Sequence, residues 1–166
     1  MFAGVAPMSA TFEVGLNVFG KDAGPINWHT IVPTFYVGGE QTPLPELPFQ
    51  AQKCIDRVCH VFEVNNVIAD YNVSLENKEN WVNPIYGIDG DYVAKIEDPS
   101  RGSVLTLNLF ESENGCCYTV FGSVDNQGHE VRHHSCENAW KFLQNFRRLP
   151  DGTITGGKMD DIKAIF

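Results

Sequence analysis

The sequence predicts a mainly β fold: an antiparallel up-and-down β-barrel of about eight strands with one C-terminal α-helix. Three observations lead there. Between residues 57 and 134, short apolar runs are cut by turn signals: Asn65-Asn66, Asp89-Gly90, Pro99-Ser100-Arg101-Gly102, Glu113-Asn114-Gly115 and Asp125-Asn126-Gln127-Gly128. Connections this short join antiparallel neighbours, because a parallel crossover needs a dozen or more residues. A continuous meander must also hide or close its edges, and closure into a barrel removes them.

In chain order, Thr11 to Phe19 alternates well enough for a strand, and Gly20 to Pro25 is a loop. Trp28 to Val37 is an apolar, β-branched run interrupted by Pro33, which implies an edge position or a bulge. Gly38 to Pro48 carries two glycines and three prolines and reads as a long loop over the mouth of the fold. Arg57 to Val64 and Val67 to Leu75 form a hairpin across Asn65-Asn66, where Asn tolerates a positive φ. Pro84 to Ile88 and Asp91 to Glu97 are shorter strands. Ser103 to Phe110 and Cys116 to Val124 form a second hairpin, and Gly128 to His134 adds a strand. Glu137 to Arg148 is the helix, begun at Ser135 or Cys136, with Trp140, Leu143 and Phe146 at helical spacing. Pro150-Asp151-Gly152 stops it, Thr153-Ile154-Thr155 forms a last strand, and residues 158 to 161 are a solvated tail.

The whole chain, residues 1–166, reads as one domain, with strands over about 28–134 and a helix over about 137–148. Apolar residues at 43% and charged residues at 20% describe a globular protein, not a disordered one. The formal charge of −9, from 21 acidic and 12 basic residues, repels phosphate backbones and argues against nucleic-acid binding. No apolar run reaches the ~20 residues of a membrane helix. The opening ten residues lack a basic n-region and so do not form an intact signal peptide. Five cysteines (Cys54, Cys59, Cys116, Cys117, Cys136) and the glycosylation triplet Asn72-Val-Ser74 point to a secreted chain. Cys116 and Cys117 face opposite sides of a strand and pair with other cysteines; Cys54–Cys136 and Cys59–Cys117 are candidates.

Eight strands from Trp28, then a helix, then a short terminal strand is an order that resembles the lipocalin family, over about residues 26 to 155. Trp28 stands for the family's tryptophan on the first strand, although Ile26-Asn27 replaces its preceding glycine motif. Arg132 matches the arginine that packs over that tryptophan, and Cys54 sits where the family often places a disulfide cysteine. Glu111-Ser112-Glu113 keeps an acid of the family's turn but not its pattern. The resemblance implies that Trp28 and Arg132 close the barrel base.

Strand alternation supplies the candidate site. Val58, His60, Phe62 and Val64 share one face, and Val67, Ala69, Tyr71, Val73 and Leu75 share another. Tyr92, Ala94 and Ile96 alternate with Val93, Lys95 and Glu97, and Cys116, Tyr118, Val120, Gly122 and Val124 with their neighbours. Facing inward, Tyr36, His60, Phe62, Tyr71, Tyr92 and Tyr118 line a cup suited to a small apolar or aromatic ligand, with the Gly38 to Pro48 loop as gate. The expected function is therefore that of a binding or carrier protein. No catalytic residue, metal ligand set or cofactor is assigned: His133 and His134 face opposite sides of a strand, and a closed zinc site needs two ligands beyond His134 and Cys136. Two rivals stand beside it. One is an enzyme on the same barrel, an isomerase, lyase or dehydratase using His60 with a tyrosine or acid. The other is a β-sandwich interaction protein with a filled interior.

Overall fold

A computed structural model of the chain describes residues 3–6, 8, 30–39, 59–68, 90–128 and 130–166. Its centre is a four-stranded sheet made of β1 (Thr34–Gly39), β2 (Tyr92–Asp98), β3 (Ser103–Phe110) and β4 (Thr119–Val124), in the order β1-β4-β3-β2. β2, β3 and β4 form an antiparallel meander, and β1 runs parallel to β4. β1 starts directly after Pro33, which cannot donate to a ladder, and its first two described neighbours are Val5 and Met8, bridged to Thr34 and Val37.

The hairpin turns follow from their residues. Between β2 and β3 the Arg101 N–H donates to the Asp98 carbonyl at 3.1 Å, with Pro99 at the position that favours its fixed φ. Gly102 follows at φ +60°, a conformation that L side chains rarely adopt. The β3–β4 connection closes on Ser112 and Gly115, where the Gly115 N–H donates to the Ser112 carbonyl at 2.8 Å and Gly115 has φ +76°. Gly122 has a packing reason instead. A Cβ there would sit 2.8 Å from the Leu107 side chain across the ladder.

One face of the sheet carries an aliphatic core. Register places Leu107 between Gly122 and Ala94, Leu109 between Val120 and Tyr92, and Leu105 between Val124 and Ile96. Phe35 and Val37 extend this layer through β1. Over it lie a helix, a small hairpin and a terminal turn of helix. The hairpin is β5 (Phe146–Arg148) with β6 (Ile154–Gly156). The helix, α2 (His133–Leu143), buries Ser135, Asn138, Ala139 and Phe142, which recur at the three- and four-residue spacing of one helical face. The last element, α3 (Met159–Lys163), buries Met159 and Ile162. Leu105, Leu107, Leu109, Val120, Phe142 and Ile162 are wholly inaccessible, so this layer is filled with side chains.

The opposite face is built differently. Residues 59–64 form a helix, α1, that lays Phe62 against Phe110 and Phe121 with ring centroids 4.8 and 5.5 Å apart. The helix ends in a Schellman motif. The Val67 N–H donates to the Phe62 carbonyl at 3.0 Å and the Asn66 N–H to the Glu63 carbonyl at 3.2 Å, with Asn66 at φ +51°. The preceding Asn65 is completely buried and bonds four groups. Its Oδ1 accepts from the Val32 N–H at 2.9 Å. Its Nδ2 lies within hydrogen-bond distance of the Val32 carbonyl, the Tyr118 carbonyl and Thr119 Oγ1, at 3.0, 3.2 and 2.9 Å. One amide thus ties the end of α1 to the chain entering β1 and to the start of β4.

The predicted barrel is therefore wrong. The described residues form an open, mixed four-stranded sheet and a separate two-stranded one, covered by helices, with no closed barrel among them. Two features misled the pattern. Val58 to Val64 alternates like a strand, but its 59–64 portion is helical, and Asn65-Asn66 supplies its positive φ as a helix cap rather than a hairpin turn. The parallel β1–β4 pair joins strands far apart in sequence, which no local signal announces. The described residues of the expected strand over 128–134 form none, and α2 begins at His133; Phe146 to Arg148, read as helix, is β5. The tail from Lys158 contains α3. Cys116, Cys117 and Cys136 are free thiols, so neither proposed disulfide is formed. Arg132 is the N-cap of α2 and does not close a barrel base. The expected strands over 11–19, most of 67–75 and 84–88 lie outside the described residues. So do Trp28, Cys54, Asp89, Asn72-Val-Ser74 and the loop beyond Gly39.

Candidate functional site

Of the six residues assigned to one cup, the five described ones lie on both sides of the sheet. Tyr36 belongs to the aromatic face, where its ring stands edge-on to Phe121 at 6.0 Å. Phe62 is buried on that same face, a packing residue of α1. His60, also on α1, has its Nδ1 4.0 Å from the exposed Glu63 carboxylate. Tyr92 and Tyr118 belong to the aliphatic layer on the other side of the sheet. The Tyr92 ring lies 5.8 Å from Lys163 Nζ, and Tyr118 packs on Phe146 at 5.9 Å while its hydroxyl accepts from Asn114 Nδ2 at 3.0 Å. Burial in that layer raises the Tyr118 pKa. Tyr71 lies outside the described residues. The sheet itself separates the two groups.

A concave site among the described residues is a polar groove of about 360 Å³ beside the start of α2. It is lined by Asp98, Ser100, Arg101, Glu130, Val131, Arg132, His133, His134 and Glu137. Two pieces of chain meet there: the β2–β3 turn and the segment entering α2. The turn holds Asp98. Its Oδ1 accepts from Ser100 Oγ at 2.5 Å and from the Ser100 N–H at 3.1 Å. These bonds, with smaller help from the charges of His134 and Arg132, lower the Asp98 pKa and keep it a carboxylate.

Arg132 joins the second segment to the first. Its Nε donates to Glu130 Oε1 at 2.9 Å, Nη1 to Ser103 Oγ at 2.9 Å and Nη2 to the Asn126 carbonyl at 2.8 Å. A guanidinium presents its donors in a fixed fork, so three partners leave it one orientation. α2 then begins with no side-chain cap and no acid in its first turn. His133 and His134 stand at the positive end of the helix dipole, and His133 Nδ1 lies 3.4 Å from Glu137 Oε1 one turn along. Adjacent residues at the start of a helix are only about 100° apart, so both histidines reach one groove where strand geometry would have parted them.

Chemically, the groove presents fixed charges of both signs. Ser100, Asp98 and His134 share it, but not in the order of a nucleophilic triad: the serine hydroxyl donates directly to the Asp98 carboxylate, where a triad would have it donate to the imidazole. No set of three or more His, Cys, Asp or Glu side chains that could hold a metal ion occurs among the described residues. The buried thiol of Cys117 is pushed up to about 12 by burial, which removes it as a thiolate nucleophile. No helix among the described residues is long and apolar enough to cross a membrane. Sequence reasoning weighed His133, His134 and Cys136 only as possible metal ligands, and two of them, His133 and His134, line the groove. It missed Asp98, Ser100 and Arg101, whose turn chemistry concealed a second role. The chain matches no protein-family model, and no similar protein is found among curated ones.

Proposed function

We propose that this chain is a binding protein that recognises a ligand bearing both charge signs, such as a short peptide segment, in the groove between the β2–β3 turn and the start of α2. One observation carries the reading: Asp98, Glu130 and Glu137 face the same space as Arg101, Arg132, His133 and His134. A ligand amine or guanidinium meets the carboxylates, and a ligand carboxylate meets Arg101 and the uncapped end of α2. The internal bonds of Asp98 and Arg132 hold these charges in place before the ligand arrives, which lowers the cost of ordering them on binding.

The carried apolar molecule expected from the sequence needs an interior. Among the described residues the aliphatic layer is filled, its central side chains inaccessible and in mutual contact. On this reading the ligand is held at the surface of the fold. The test is a titration of the isotope-labelled protein with a panel of short peptides of mixed charge, followed by backbone amide shifts. The expected result is a set of shifts centred on residues 98–101 and 130–137, weakened about three- to tenfold by Arg101→Ala or Glu137→Ala. Peptide binding unaffected by both substitutions would remove the groove from consideration.

A further inference from the structure

The two edges of the four-stranded sheet differ. β1 is flanked by Val5 and Met8, whereas no strand among the described residues pairs with the outer side of β2. An edge strand presents unpaired N–H and C=O groups, and charged side chains usually protect it. β2 carries such charges, but of opposite sign and two residues apart: Lys95 and Glu97 are both exposed on the same face, with the exposed Val93 beside them.

We infer that β2 is a self-pairing edge, which joins a second copy of this chain as an antiparallel, two-fold strand pair centred on Ile96. The arithmetic of that register is particular. In an antiparallel pair centred on residue 96, position 95 opposes position 97 of the other copy and position 97 opposes its position 95. Each Lys95 therefore meets a Glu97 across the axis, giving two ion pairs in one isologous contact. Centring one residue earlier would set Lys95 against Lys95. Centring at Ala94 would set Asp91 against Glu97. The charge pattern selects one register and rejects its neighbours, which is how cross-strand pairs specify alignment. The other face of the pair brings Ile96 against Ile96, continuing the aliphatic layer across the axis. The occupant is a second copy because the complementarity is to the strand itself.

Sedimentation velocity over a concentration series tests this, at a salt concentration that screens the repulsion between two chains of net charge −9. The expected result is a reversible monomer–dimer equilibrium. Lys95→Glu sets four carboxylates around the axis and should weaken the dimer about tenfold or more. Adding Glu97→Lys to Lys95→Glu exchanges the two charges, restores the opposition and should restore the dimer. Because both side chains are exposed, the variants should fold as the parent does, which circular dichroism checks. A monomer at every concentration would overturn the inference. So would a dimer that ignores Lys95→Glu, or one that the double exchange fails to rescue.

Discussion

The two faces of the central sheet are held by different physics. The aliphatic face spreads its burial over many residues: Leu105, Leu107, Leu109, Val120 and Val124 from the meander, Phe35 and Val37 from β1, and Phe142, Phe146, Met159 and Ile162 from the covering layer. Among the described residues, the opposite face holds α1 through the ring of Phe62 and, just past the end of the helix, the side-chain amide of Asn65. A layer of many similar contacts tolerates the loss of one. A short helix anchored by a ring and an amide is more sensitive to the loss of either.

That comparison predicts unequal costs. Phe62→Ala should have the largest effect, about 4 kcal/mol by chemical denaturation, because it empties the space between α1 and the Phe110–Phe121 pair. Leu105→Ala, on the aliphatic face, should cost about 3 kcal/mol, since more neighbours can close on the gap. If Leu105→Ala proves the costlier, the concentrated attachment is an incorrect picture.

Asn65→Ala should cost about 3 kcal/mol, although it removes little apolar area. It leaves the Val32 N–H and carbonyl, the Tyr118 carbonyl and the Thr119 hydroxyl without this partner. Asn65→Asp sharpens the point. It keeps the acceptor for the Val32 N–H but has no donors for the two carbonyls, so it should be at least as damaging at neutral pH. An Asn65→Asp variant as stable as the parent would show that shape, not hydrogen bonding, is what this position supplies.

The aliphatic face has its own pH signature at Cys117. Burial raises this thiol from 9.0 to about 12, so the unfolded chain releases the proton first. Across that window the folded state holds more protons than the unfolded one, and stability must fall as pH rises, by up to about 1.4 kcal/mol per pH unit from this group. Comparing denaturation of the parent with Cys117→Ala between pH 9 and 10.5 isolates the slope, about 1.4 kcal/mol per unit at most. Equal slopes would place the thiol in contact with solvent.

The smallest effect belongs to the groove. Ser100→Ala removes the hydroxyl that holds Asp98 and should move its carboxyl pKa up toward the ordinary value, read by NMR titration, with little change in stability. An unmoved titration would mean that the Ser100 N–H and the neighbouring charges already suffice.

What the sequence made legible follows the range of the interactions. β2, β3 and β4, their turns and the alternation of Tyr92, Ala94 and Ile96 with Val93, Lys95 and Glu97 are local matters of period and turn chemistry, and they emerge near their expected places. The positive φ at Asn66 was also readable, but the same conformation serves a hairpin and a helix cap, and only the hydrogen bonds of Val67 and Asn66 decide. α2 was expected, yet its buried face is not. Trp140 suggested the apolar stripe and is 67% exposed, while Ser135 and Asn138 lie buried where the pattern gave no apolar cue. The parallel pairing of β1 with β4 and the fourfold bonding of Asn65 depend on chain segments 33 to 85 residues apart, beyond any local pattern. For the site, the adjacent pair His133-His134 was visible. Its meeting with Asp98 and Arg101 was not, because it depends on where α2 crosses the sheet.

The described sheet is open and mixed, its first strand parallel to its fourth. Interstrand nuclear Overhauser effects on a labelled sample test it most directly. Contacts from Phe35 to Val120 and from Val37 to Gly122 are expected, advancing in the same direction along both strands. Contacts that advance in opposite directions, or a β1 paired with strands of an antiparallel barrel, would contradict it.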